Sequence, residues 1–171
     1  MKFVALHTSH GDIRLRLFDD LVPKTVANFI GLAGGTKAYT QPNASGTLSG
    51  PFYDGSTFHR VIDGAWIQGG DPTGTGRGHP GYRFGDEFHP DLRFDEPFRL
   101  AMAHAGPGTN GSQFFITIGR ARHLDFTYPI FGAVEDADSR VVVESIARTA
   151  TGRGDRPLTP VVLNSVEIRQ D

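Results

Sequence analysis

The period of the apolar positions separates two kinds of element near the start of the chain. Residues 2–7 form an apolar-rich run, Ser9-His10-Gly11-Asp12 carries turn-forming side chains, and Ile13-Arg14-Leu15-Arg16-Leu17 alternates strictly between apolar and basic. Alternation at period two puts one strand face in a core and the other in water, so these segments predict a half-buried hairpin. The period then lengthens. Pro23 stands where a first helical residue belongs, Val26, Phe29, Ile30 and Ala33 share a helical face with Val22, and Gly34-Gly35 end the run. Proline at the start and glycine past the end bound an amphipathic helix over residues 23–33.

Residues 36–55 hold Pro42, Gly46, Gly50, Pro51 and Gly55 with no period and read as a surface loop. Two short strand patterns follow at 57–62 and 65–70. Asp63-Gly64 lies between them, a dipeptide suited to the positive backbone angles of a tight hairpin. Further strands are predicted at 99–103, 114–118, 129–134 and 161–168, and a second helix at 139–147 with Val142, Val143 and Ile146 on one face and Ser139 as its cap. Two helices and about eight strands suggest a sandwich or barrel.

Composition narrows the chemistry. The chain has 171 residues, enough for one domain over 1–171 without staples. There is no cysteine, which excludes disulfides, thiolate nucleophiles and cysteine zinc sites, and makes the cytoplasm the simplest compartment. Lys plus Arg number 17 against 19 Asp plus Glu, a net charge of −2 that gives no footprint for nucleic acid or an anionic membrane. No apolar run approaches the ~18 residues of a membrane span.

Seven histidines, at 7, 10, 59, 79, 89, 104 and 123, include no i, i+4 pair, so no metal site is expected. Gly74-Thr75-Gly76-Arg77-Gly78 is followed by Pro80 and Gly81 rather than a helix, which removes the phosphate-loop reading. Gly55-Ser56 and Gly111-Ser112 lack a nucleophile-elbow frame. Arg60 stands apart, because period two places it on a strand face with Phe58 and Ile62, where it is either a wall arginine with its stem packed or a functional cation. Gln68 lies on the adjoining strand of the same hairpin.

Three blocks are more specific: Phe58-His59-Arg60-Val61-Ile62, Ile67-Gln68-Gly69-Gly70-Asp71, and the run from Ala101 through Gly106-Pro107-Gly108-Thr109-Asn110-Gly111-Ser112-Gln113-Phe114-Phe115 to Ile116. In type and order they resemble the signature blocks of the cyclophilins, similar to bacterial members, and the likeness extends more loosely over nearly the whole chain. The resemblance implies a mainly β fold, a closed eight-stranded antiparallel barrel capped by two α-helices. It also implies an activity, peptidyl-prolyl cis/trans isomerisation of peptides and unfolded proteins.

By the same resemblance Arg60 is the catalytic residue, and Gln68 and Gln113 are polar binders of the peptide. Phe115 and Leu124 floor a proline pocket. Ala103, His104 and Ala105 form the groove edge, with a backbone group at His104 bonding the peptide. Ala65, Trp66, His123 and Tyr128 complete the binding set. The family commonly has Phe-Met where this chain has Ala65-Trp66, which implies an altered preference before proline. His123 replaces a tryptophan of some members and Tyr128 a histidine of many, which weakens the case for cyclosporin binding. No metal or cofactor is implied, the partners are proline-containing and unfolded chains, and a monomer suffices. The competing expectation is a proline-peptide-binding module or holdase on the same barrel with little activity; retention of Arg60 favours the enzyme.

Overall fold

The computed structural model describes residues 1–169 and turns the period-two segments into a strongly curled antiparallel sheet. Strands β1 (Lys2–Thr8) and β2 (Gly11–Leu17) pair from Lys2 opposite Leu17 to Thr8 opposite Gly11. The alternation of β2 is realised as expected, with Ile13, Leu15 and Leu17 fully buried. Helix α1 (Pro23–Gly34) follows and ends at Gly35 in the left-handed conformation. Its buried face is wider than the apolar pattern implied: Thr25, Asn28 and Leu32 are buried with Val26, Phe29 and Ala33, while Ile30 is half-buried.

The remaining strands are β3 (Ser56–Thr57), β4 (Arg60–Ile62), β5 (Trp66–Gly69), β6 (Arg99–Met102), β7 (Phe114–Thr117), β8 (Ile130–Val134) and β9 (Val162–Arg169). They hydrogen-bond in the order β3-β9-β1-β2-β8-β6-β7-β5-β4. Nine strands replace the eight expected because the segment read as one strand over 57–62 breaks at Phe58-His59. Both residues of the break are buried, so Phe58 does not share the face of Arg60 as strict alternation required.

Helix α2 (Ala137–Ala147) begins two residues before its expected start. Its cap is the Asp136 carboxylate, which accepts from the Ser139 N–H at 2.8 Å; the Ser139 hydroxyl instead accepts from the Arg14 N–H at 2.8 Å and ties α2 to β2. The 36–55 segment also departs from a surface loop. Tyr39, Phe52 and Tyr53 are buried, with Tyr53 stacked on Phe29 at 5.1 Å and Tyr39 edge-on to Phe52 at 4.7 Å, so the loop supplies rings to the core. The buried apolar residues of both helices and the sheet form one contiguous cluster. No helix among the described residues is long and apolar enough to cross a membrane.

Candidate active site

One register row builds the site. Arg60 on β4 stands opposite Gln68 on β5, Gln68 opposite Phe115 on β7, and Phe115 opposite Ala101 on β6. Directly opposed residues project to the same sheet face. The next row, Val61, Ile67, Ile116 and Leu100, points the other way, and all four are buried in the core. Period two therefore explains why a cation and an amide stand on the outer wall beside a phenylalanine. The hairpin that sets Arg60 against Gln68 turns through Asp63-Gly64-Ala65. Only Gly64 takes a positive φ, 78°, rather than both central residues as in the tightest hairpins.

Phe115 is nevertheless only 4% exposed, because Tyr128 from the chain between β7 and β8 and Phe94 from the chain between β5 and β6 fold over it. Tyr128 meets its ring edge-on at 5.6 Å and Phe94 stacks on it at 6.0 Å. The Asp125 carboxylate accepts from the Phe94 N–H at 2.6 Å and fixes this cover. What remains open is a cleft of about 140 Å³ lined by Arg60, Trp66, Gln68, Ala103, His104, Phe115, Leu124 and Tyr128. Its floor is apolar and its rim polar.

The Arg60 guanidinium is held on two sides. Its Cζ lies 5.6 Å over the Trp66 ring, and its Nε is 3.8 Å from Asp155 Oδ2, which arrives from the short 3-10 turn Arg153–Asp155. Both partners of this ion pair are about half exposed, so it orients the guanidinium more than it stabilises the fold. Gln68 Nε2 donates to Gln113 Oε1 at 3.2 Å, and Gln113 Nε2 donates to the carbonyls of Gly76 and Gly78, each at 3.0 Å. One amide chain thus links the cleft to the glycine loop. That loop wraps the buried Asp71, whose carboxylate accepts from Thr73 and Gly76. Burial alone would raise the Asp71 carboxyl; these hydrogen bonds, with one from the Gly78 backbone, outweigh it and hold the group below its ordinary range. A Cβ at Gly78 would collide with that carboxylate.

His104 is occupied at both ring nitrogens. Nδ1 accepts from the Gly106 N–H at 3.1 Å, which leaves Nε2 as the donor to the Thr127 carbonyl at 2.7 Å, and the ring stacks on Tyr128 at 4.5 Å. The imidazole is therefore a brace and not a base, and its backbone N–H and C=O have no partner among the described residues.

Of the sequence-predicted site residues, eight line the cleft. Gln113 and Ala105 line an adjoining groove together with Gln68, Ala103 and His104. Ala65, in the hairpin loop, and the exposed His123 line neither. Sequence reasoning passed over Phe94 and Asp155. Nothing marked Phe94 among 13 phenylalanines, and Asp155 reaches Arg60 only through tertiary packing.

Comparison with known proteins finds relatives over nearly the whole chain. The family model described as cyclophilin type peptidyl-prolyl cis-trans isomerase/CLD matches residues 3–168. Peptidyl-prolyl cis-trans isomerase A of Mycobacterium tuberculosis is 65% identical over 163 residues, covering 95% of this chain and 90% of that protein. Peptidyl-prolyl cis-trans isomerase B of Streptomyces anulatus is 50% identical, covering 97% and 95%. Among solved structures, a Cryptosporidium parvum cyclophilin type isomerase determined in the presence of the dipeptide Ala-Pro superposes with a TM-score of 0.83 at 34% identity, covering 99% of both chains.

Proposed function

The chain belongs to the cyclophilin-type peptidyl-prolyl cis-trans isomerases, and from that premise we propose how its cleft turns the bond preceding proline. Its activity is that of the family, cis/trans isomerisation of X-Pro peptide bonds; the non-catalytic binding module is not favoured. The substrates we assign are proline-containing peptides and unfolded chains, with assistance to protein folding as the consequence. The observation that carries the assignment is Arg60 at the rim of an apolar cleft floored by Phe115 and Leu124.

No covalent bond breaks in the reaction. The barrier, about 20 kcal/mol, is amide resonance lost as the bond twists, so any site that binds the twisted amide better than the planar one catalyses. In our reading the proline ring sits on Phe115 against Leu124 and Trp66, and the unpaired backbone of His104 bonds the peptide and holds one side of the bond. Gln68 and Gln113, already linked, hold the other polar groups, and Ala103 and Ala105 border the chain's path. As the bond twists, the prolyl nitrogen becomes pyramidal and regains its lone pair. Arg60 meets Asp155 through Nε, which leaves its fork of terminal N–H groups to donate to that nitrogen or to the adjoining carbonyl. A donor held in place by Trp66 and Asp155 favours the twisted state.

We propose further that the barrel is closed and counts as eight strands. Two residues separate β3 from β4, the two ends of the ladder; β3 pairs with β9, β4 with β5, and Thr57 bridges to Asp71 just beyond β5. The single contiguous core supports one domain over 1–171, and one chain supplies the whole cleft, in keeping with a monomer. We keep the cytoplasm as compartment from the absence of cysteine, and His123 and Tyr128, in place of a tryptophan and a histidine, as the features against cyclosporin.

The test is exchange NMR on a short Ala-Pro peptide with catalytic amounts of the wild type and of Arg60→Ala. The wild type should accelerate exchange. The variant should lose about 10²–10³-fold in rate, the cost of removing one preorganised donor, with peptide affinity nearly kept. Peptide-induced shifts without faster exchange in the wild type would replace the isomerase with a binding module.

A further inference from the structure

We infer that the groove leading away from the proline cleft selects proline segments flanked by acidic residues. This deepens the isomerase reading above and rests on it. Three hollows adjoin one another: the cleft and the adjoining groove share Gln68, Ala103 and His104, and the groove shares Tyr82 and Arg83 with a larger hollow of about 450 Å³. We read this row of hollows as the path of a peptide seated in the cleft.

Cations line that path. Arg77 and Arg83 stand along the groove, and Arg83, Lys37 and Lys24 stand around the far hollow. All four side chains belong to exposed residues, and none has a carboxylate partner among the described residues. The Lys37 ammonium lies 4.9 Å over the Tyr82 ring, a contact that orients the charge without neutralising it.

Two carboxylates share the far hollow, and both are already engaged. Asp86 accepts from Asn110 Nδ2 at 2.8 Å and from the Gly108 N–H at 3.2 Å. Glu87 accepts from the backbone N–H groups of Lys24 and Thr25 and from the Thr25 hydroxyl. Neutral donors leave both carboxylates charged, so the far hollow carries three cations against two anions, while the groove has Arg77 and Arg83 and no carboxylate; the path is positive in a chain whose net charge is −2. Acidic side chains on a polypeptide held at the proline cleft supply the missing counter-charge, and a basic cleft raises their encounter rate.

The experiment compares Ala-Pro peptides carrying a glutamate pair, placed progressively farther from the proline on either side, with their glutamine isosteres. Exchange NMR gives kcat/KM and shift titration gives Kd, for the wild type and for a Lys24→Gln, Lys37→Gln, Arg77→Gln, Arg83→Gln quadruple variant. At one placement the wild type should favour the glutamate peptide by roughly fivefold at low salt, the scale of a few exposed ion pairs. The preference should vanish in high salt and in the quadruple variant, while the neutral peptide is turned over equally by both proteins. No preference at any placement, or one that survives in the quadruple variant, overturns the inference. Failure of the wild type to turn over the neutral peptide counts against the isomerase reading instead, and the Kd comparison still decides this one.

Discussion

The guanidinium of Arg60 lies over the indole of Trp66, its Cζ 5.6 Å from the ring centroid, and the same indole meets Phe115 at 6.1 Å. One side chain thus forms a wall of the proline cleft and a platform for the cation above it. Strand position explains the arrangement. Trp66 and Gln68 lie two residues apart on β5, so they share the outer face with Arg60, and the hairpin brings all three together.

Trp66→Ala should therefore lower kcat/KM on a neutral Ala-Pro peptide by roughly two- to fivefold, the equivalent of about 0.5–1 kcal/mol of cation–π attraction. It should also change the ranking of residues preceding proline. Ala65→Phe, which restores a ring that the family commonly has, should leave that ranking as it is, because Ala65 sits on the hairpin loop outside the cleft. Exchange rates across a peptide series check both, and a ranking moved by Ala65→Phe but not by Trp66→Ala would reassign the wall.

Local periodicity made much of the scaffold legible. The first hairpin, the start and stop of α1 and the 60–68 hairpin each follow from patterns within a few residues, and the hairpin already implied that Arg60 and Gln68 could meet. Where the structure departs from the sequence reading, a distant group had intervened. Ser139 looks like a cap but is engaged by Arg14, which frees the role for Asp136. Tyr39, Phe52 and Tyr53 look like loop aromatics but find the rings of the core. The cover over Phe115 and the ion pair of Arg60 with Asp155 join segments far apart in sequence, and no local pattern encodes them.

Helix α1 has Val22 at its N-cap, which offers no side-chain acceptor, and the role passes to Glu87 from the distant loop. A carboxylate on two first-turn N–H groups satisfies orphan donors and opposes the helix dipole. Glu87→Ala should cost about 1 kcal/mol and lower Tm by about 2–4 °C. Glu87→Gln, which keeps an acceptor and loses the charge, should cost less. Thermal unfolding of the two variants measures the difference, and unchanged Tm values in both would mean that water replaces the cap.

His59 is 6% exposed beside Asp71, and its Nδ1 has no hydrogen-bond partner. Burial lowers its pKa from 6.5; Asp71 works against the shift, and Arg156 and Arg60 add to it. The folded protein therefore binds this proton less readily than the unfolded chain. Stability from His59 is complete above the unfolded value of 6.5 and declines as pH falls below it, until the folded-state ring itself protonates. Asp71, held below 3.8, acts in a separate and lower window, where its contribution is lost as pH falls through its folded value. Unfolding free energies from urea titrations between neutral pH and about 5 should fall in the wild type by at most about 1.4 kcal/mol per pH unit on account of His59. His59→Phe, which cannot titrate, should flatten that slope even where it changes the absolute stability. Parallel slopes in the two proteins would remove His59 as the source of acid sensitivity.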